Sequence, residues 1–201
     1  MRPICKTYTL TATDADGICQ SQSPLAAGLL TINGALAAGI PTAQHITIAS
    51  DGDERGNTFT LVGTDNDGIV ISEDITGPNA TTTTSTKNFK TVTSVTISGA
   101  SVGAVTVGVV ATCELPWRLF NSHARVFNYS YDVSIGTATF TLEGTLDDVE
   151  DPTVTPTTRT VVASGSSSIT GSSTAPLKAL RVKVTAWTSG TIKFNTMQAG
   201  L

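Results

Sequence analysis

The side chains in this chain with the most chemical potential are its clustered carboxylates. Asp14-Ala15-Asp16-Gly17, Asp65-Asn66-Asp67-Gly68 and Asp51-Gly52-Asp53-Glu54 each set acids close together beside a glycine. Oxygen donors spaced two apart ahead of a glycine are how a calcium loop begins. A complete EF-hand loop also needs a glutamate at its twelfth position and a helix on each side, and neither follows. The same D-x-D-G pattern describes a β-turn, in which Asp accepts local backbone N–H bonds and Gly supplies a positive φ. The turn is the simpler reading and calcium the alternative. Asp147, Asp148, Glu150 and Asp151 form a fourth acidic group that could likewise hold a hard cation or simply line a solvated loop.

Nucleophilic chemistry has less to draw on. The only histidines are His45 and His123, so a Ser-His-Asp triad must use one of them, and no serine sits in a G-x-S-x-G elbow. Two histidines and three scattered cysteines do not spell a zinc site. Gly99-Ala100-Ser101-Val102-Gly103 lacks the Gly-Lys-Ser/Thr ending of a phosphate loop. Asn79-Ala80-Thr81 and Asn128-Tyr129-Ser130 match the glycosylation sequon, which matters only on a secreted chain. A glycosidase would need two carboxylates in a cleft, and no aromatic sugar platform is evident. The expectation is no catalytic residue, no cofactor and no metal.

The elements that must position these groups are strands. The chain has 36 Thr, 18 Ser and 18 Gly in 201 residues, and only 14% charged side chains. Thr favours strands, and so few Glu, Lys and Leu leave little to build helices from. Low charge with a positive mean hydropathy argues against disorder. Alternation of β-branched or aromatic residues with small polar ones predicts strands over Thr7–Thr13, Gln44–Ala49, Thr58–Val62, Ile69–Ile75, Val92–Ile97 and Ala104–Val110. It resumes over Ala124–Ile135, Thr137–Glu143, Arg159–Ala163, Leu180–Ala186 and Thr191–Met197. Turn signals at Asp16-Gly17, Asn33-Gly34, Asp67-Gly68, Gly77-Pro78-Asn79 and Ser189-Gly190 separate them. On the apolar phase of these strands, Phe59, Leu61, Phe140, Leu142, Trp187 and Phe194 are predicted to point into cores.

The prediction is an all-β chain of two small β-sandwich or jelly-roll-like domains, over 1–112 and 122–201, joined by an aromatic connector over 113–121. Alternation stops in that connector, Pro116 blocks a central strand, and Trp117, Leu119 and Phe120 cluster as candidate interface residues. Local self-similarity is also present. Thr7-Tyr8-Thr9-Leu10 with Thr13-Asp14-Ala15-Asp16-Gly17-Ile18 matches Thr58-Phe59-Thr60-Leu61 with Thr64-Asp65-Asn66-Asp67-Gly68-Ile69, and Thr139-Phe140-Thr141-Leu142 echoes it again. Duplication and convergence on one good strand pattern explain this equally well.

Charge and cysteines bound the surroundings. Residues 1–116 hold 5 basic and 10 acidic groups, and 117–201 hold 7 and 6, giving −5 and +1. Twelve dispersed Lys and Arg do not make a phosphate-neutralising surface, so no nucleic-acid partner is expected. The stretch 25–40 is too short and interrupted to span a bilayer, so no membrane partner is expected. The N-terminus has no secretory h-region, so synthesis in a reducing cytoplasm is the expectation. There Cys5, Cys19 and Cys113 read as buried small hydrophobes, with a Cys5–Cys19 disulfide as the less favoured alternative.

The residues also carry a resemblance. The block Ile46-Thr47-Ile48-Ala49-Ser50-Asp51-Gly52, then Gly56-Asn57-Thr58-Phe59-Thr60-Leu61-Val62-Gly63-Thr64-Asp65-Asn66-Asp67-Gly68, then Ile71–Ala80 and Ser85–Val95, resembles a module of virion structural proteins of tailed bacteriophages. The segments Thr141–Asp148 and Ala179–Thr185 resemble, more loosely, small phage domains of the head decoration (cement) type. What the resemblance implies is a non-enzymatic virion protein that binds the outer shell through the major capsid protein or other virion proteins. A neck, tail or fibre-base component is the first alternative. A carbohydrate- or receptor-binding module, with a groove lined by Trp117, Tyr131 or Trp187, is the second. Residues 91–113 contain no Lys, Arg, Asp or Glu, which reads as unguarded sheet edges and so a homo-oligomer, or alternatively as central strands flanked on both sides.

Overall fold

The computed structural model describes residues 4–120, 129–151, 153–174 and 176–198. Fifteen strands and no helix occur among them. They are β1 (Ile4–Tyr8), β2 (Asp14–Gln22), β3 (Gly28–Leu29), β4 (Gln44–Ser50), β5 (Thr58–Thr64), β6 (Val70–Thr76), β7 (Thr82–Phe89), β8 (Thr91–Ile97), β9 (Val105–Val109), β10 (Cys113–Glu114), β11 (Arg118–Leu119), β12 (Tyr129–Thr145), β13 (Arg159–Gly165), β14 (Ile169–Ser173) and β15 (Ala179–Gln198). The all-β class follows from the alternation, and every pairing whose register is resolved is antiparallel.

The chain divides into two units. One spans Leu10–Cys113, and the other joins the N-terminal residues to Glu114 and everything after it. The first unit has two four-stranded sheets, β2-β9-β4-β7 and β3-β8-β5-β6. Their facing side chains share one core, with Ile18, Ile46, Ile48, Phe89, Val105, Val107 and Val109 from the first sheet and Phe59, Leu61, Ile75, Val95 and Ile97 from the second. The period of two puts Thr and Ser on the opposite faces.

Two sequence expectations change here. Residues 91–113 are not edges: β8 lies between β3 and β5, and β9 between β2 and β4. Their lack of charge reflects neighbours on both sides, because a central strand has no open edge to guard. Three of the four actual edges, β2, β6 and β7, make further bonds outside their ladders. The Glu73 carboxylate of β6 accepts the amides of Thr86 (2.7 Å) and Lys87 (2.9 Å) on β7. Residues 33–36 close over β2, with the Asn33 and Gly34 amides donating to Ile18 O and the Leu36 amide to Gly17 O.

The second correction concerns the N-terminus. The predicted strand Thr7–Thr13 breaks after Tyr8, and β1 pairs with β15 of the other unit, Tyr8 opposite Ile192. The proposed domain 1–112 therefore lacks its first strand, which belongs with the C-terminal half. In that unit β1, β10, β11, β12, β13, β14 and β15 form one seven-stranded sheet around the long β12–β15 pair. Tyr8 and Arg118 pair with β15 at Ile192 and Leu180, 12 positions apart, or about 40 Å along an extended strand. Yet the Arg118 guanidinium donates to the Tyr8 hydroxyl. The sheet must fold back on itself, and the ladder irregularities at Ile135–Thr137, where Gly136 backs onto Gly190, supply the bend. Phe140, Leu142, Leu180, Val182, Ile192 and Phe194 are buried within it.

The connector 113–121 is likewise strand-bound. β10 and β11 pair with β15, and the Leu115 and Phe120 amides donate to Val182 O and Lys178 O. Asn121 lies outside the described residues.

No disulfide joins the cysteines: Cys19 and Cys113 are buried, whereas Cys5 is exposed on β1, against the expectation of burial. Burial pushes the Cys19 thiol up to about 11. A thiolate-specific reagent at about pH 8 should therefore modify Cys5 rapidly in the native protein and Cys19 only after denaturation. Equal native rates at all three would contradict the packing described.

Candidate functional site

The strand registers of the first unit gather four loops at one end. Gln22 lies opposite Val105, Gly28 opposite Ile97, Ala49 opposite Thr82, and Thr58 opposite Thr76. The loops 23–27, 51–57, 77–81 and 98–104 therefore share that end. Asp14 opposite Val109 puts both chain connections, through Leu10 and Cys113, at the other end.

A single carboxylate ties the 51–57 loop to the 98–104 loop. Glu54 has no exposed surface. Its Oε1 accepts the amides of Val102 (2.8 Å) and Gly103 (2.9 Å) and the Ser50 hydroxyl (3.2 Å), and its Oε2 accepts Asn57 Nδ2 (2.7 Å). Burial pushes the Glu54 pKa up, but the donors from Gly103, Asn57, Val102 and Ser50 outweigh it and the carboxyl titrates below its ordinary range. Around it, the Ala104 amide donates to Asp51 Oδ1 (2.6 Å), Asn57 Nδ2 to Ala100 O (2.9 Å), and the Glu54 amide to Pro78 O (2.7 Å). The Ala80 amide donates to Gly52 O, and the Ser101 amide to Pro24 O, both at 2.8 Å. Gly52 lies so close to the 98–104 loop that a Cβ there would sit 2.6 Å from the Gly103 nitrogen. The four loops thus form one hydrogen-bonded body. Its outer surface shows Leu25 (92% exposed), Leu29 (71%) and Val102 (71%).

The other acids also hold backbone. Asp65 Oδ1 accepts the amides of Asp67 (2.9 Å) and Ile69 (3.0 Å), with Gly68 at φ 80°, so the β-turn reading fits there. Asp14–Gly17 is instead part of strand β2, because the neighbouring strand β9 pairs with it. Asp53 chelates Arg55 (2.7 Å), whose hydrogen bonds hold the Asp53 carboxyl down to about 2. In the 147–151 loop, Asp147 accepts the Thr157 amide (2.5 Å), Asp151 the Thr153 amide and hydroxyl, and Lys178 faces Asp148 and Glu150. No group of three or more His, Cys, Asp or Glu side chains converges among the described residues. His45 Nδ1 pairs with the Thr112 hydroxyl (2.9 Å), and His123 lies outside the described residues.

The connector residues part company. Phe120 is buried and stacks on Tyr129 with ring centroids 4.8 Å apart. Trp117 is half-buried beneath the Arg181 guanidinium, 4.5 Å from its ring centre, and Arg181 in turn donates to Glu143 (2.8 Å). Leu119 alone is exposed. Trp187, predicted to be core, is half-buried near the bend. A shallow depression of about 280 Å³ lies near that bend, lined by residues 136–139, Ser166, Ala186 and Thr188. Neither Trp117, Tyr131 nor Trp187 lines it.

Sequence reasoning saw Glu54 only as part of a calcium-like fragment. Its burial carries no periodic signal, because it sits in an irregular loop between two glycines. No protein-family model, curated protein or solved structure matches the chain.

Proposed function

We propose that this chain is a non-enzymatic structural protein of a tailed-bacteriophage virion, a decoration (cement) protein of the capsid built from two sandwich- or jelly-roll-like modules. One observation carries the non-enzymatic part: the carboxylates with the strongest chemical potential, Glu54, Asp51, Asp65 and Glu73, are occupied by backbone amides of neighbouring loops and strands. A carboxylate whose oxygens are taken up by such bonds is fixed in place, which suits architecture rather than proton transfer. Binding then depends on surface area and repetition on a symmetric shell rather than on a pocket. The resemblance of residues 46–95 to virion modules supplies the virion assignment, and the partners that go with it are the major capsid protein or other virion proteins.

Location tests the proposal. Gold-labelled antibody against the chain should decorate the heads of intact particles at many sites. Label confined to the neck or tail would move the assignment to those components. Label absent from particles altogether would overturn it.

A further inference from the structure

Asn33 and Gly34 form the only Asn-Gly pair among the eight asparagines of the chain, and Asn33 is exposed. An asparagine is most reactive before glycine, which has no side chain to hinder attack on the neighbouring carboxamide. In the free chain the Gly34 nitrogen loses its proton to base and bonds to Asn33 Cγ. The carboxamide nitrogen leaves as ammonia, and the product is a succinimide ring. Water then opens the ring at either carbonyl, giving aspartate or isoaspartate. We infer that Asn33-Gly34 is a latent deamidation site, held shut by strand β2 and opened when residues 31–36 lift from that strand. The inference is independent of the virion reading above.

Three observations carry it. The first is that both reacting groups are bonded to β2. The Gly34 amide donates to Ile18 O (2.9 Å), the carbonyl of a residue only 3% exposed. Asn33 Oδ1 accepts the Gln20 amide (2.9 Å). Ring closure needs the nitrogen to shed its proton and the carboxamide to turn its carbon onto it, and these two bonds oppose both steps.

The second is that the whole segment is fastened. The Gln22 side chain clamps Thr31, with Nε2 donating to Thr31 O (3.1 Å) and Oε1 accepting the Thr31 amide (2.9 Å). The Leu36 amide donates to Gly17 O (2.6 Å), and Ile32 and Leu36 pack against the core of the first unit. Contacts this close together in the chain open as one local unit rather than singly.

The third is that the fold requires the glycine. A Cβ on Gly34 would lie 2.2 Å from Gly17 O and 2.3 Å from Gly17 C. Any larger residue would push the segment off β2, so the contact that closes the segment also obliges the reactive pair. An isoaspartate at 33 adds a methylene to the main chain, which takes the amides of Gly34 and Leu36 out of register with Ile18 O and Gly17 O. Strand β2 is the outer strand of its sheet, and losing this segment leaves it open to pairing with other chains.

Peptide mapping by mass spectrometry tests the inference on the full-length protein, aged in mildly alkaline buffer with and without guanidinium chloride. In denaturant Asn33 should deamidate faster than any other asparagine. In native buffer its rate should fall about tenfold or more, because reaction then proceeds only through the open fraction. Gln22→Ala removes the clamp without touching the reacting residues. It should raise the native rate and leave the rate in denaturant unchanged. A native wild-type rate equal to that in denaturant overturns the protection. Another asparagine reacting faster in denaturant overturns the site, and a native Gln22→Ala rate equal to wild type overturns the lifting of residues 31–36 as the opening step.

Discussion

Phe140→Ala should lower the unfolding free energy of the protein by about 3–5 kcal/mol, the range for truncating a fully buried phenylalanine. Phe140 is 0% exposed and sits mid-strand on β12 with β15 on one side and β13 on the other. Its ring lies directly over Gly165 of β13, where an added Cβ would come within 3.0 Å of two ring carbons. Removing the ring therefore leaves both a cavity in the bent sheet and an uncovered glycine backbone on its neighbour. Strand β13 depends on this contact more than most, because its ladder to β12 already shifts register twice. Urea denaturation followed by tryptophan fluorescence gives the number, since Trp117 and Trp187 both belong to this unit. A loss under about 1 kcal/mol would place the ring at the surface and refute the register of β12.

Glu54→Ala should be of similar size, about 3–5 kcal/mol, because it strands the amides of Val102 and Gly103 and the Asn57 side chain. Each donor left buried without an acceptor costs roughly 1–3 kcal/mol, offset in part by water entering the loop end. Glu54→Gln should cost less, since one amide oxygen can still accept from the two backbone amides. The two variants also separate charge from shape. The folded-state pKa of Glu54 lies below its ordinary value of 4.5. Between the two values the unfolded chain binds the extra proton, so stability rises with pH there. The contribution of Glu54 is complete above about 4.5 and is lost as pH falls through the folded value. Thermal melts of wild-type protein and of Glu54→Gln from about pH 6 down to pH 3 should therefore converge at the acidic end. Parallel curves would mean that Glu54 is not ionised in its pocket.

The local half of this architecture was legible in the sequence. Alternation located β4, β5, β6, β8, β9 and β13 and much of β12 and β15, though not the Thr- and Ser-rich β7 and β14, and it placed Phe59, Leu61, Phe140, Leu142 and Phe194 in cores where all five are fully buried. Asp65-Asn66-Asp67-Gly68 gave its turn for the same reason: an aspartate bonding two and four residues ahead needs no distant partner.

What the sequence left open is set by pairing between segments far apart. Ladder hydrogen bonds join backbones, and backbones look alike, so alternation over Thr7–Thr13 shows neither that the strand there is Ile4–Tyr8 nor that its neighbour is β15. The same blindness left uncharged residues 91–113 open between bare edges and central strands, and only the fold shows β3, β5, β2 and β4 flanking them. It also made two matching segments look equivalent. Thr58–Leu61 is a continuous core strand, whereas Thr7–Leu10 straddles the passage from one unit to the other, with Tyr8 buried in one and Leu10 in the other. Trp187 misses the core because it lies out of phase with Leu180, Val182, Val184, Ile192 and Phe194, the buried residues of β15, and register shifts on both sides of it interrupt the ladder. Glu54 is the clearest case. Nothing within five residues distinguishes it from a solvated loop acid; its burial is created by amides 48 and 49 residues away, which only the folded chain brings to it.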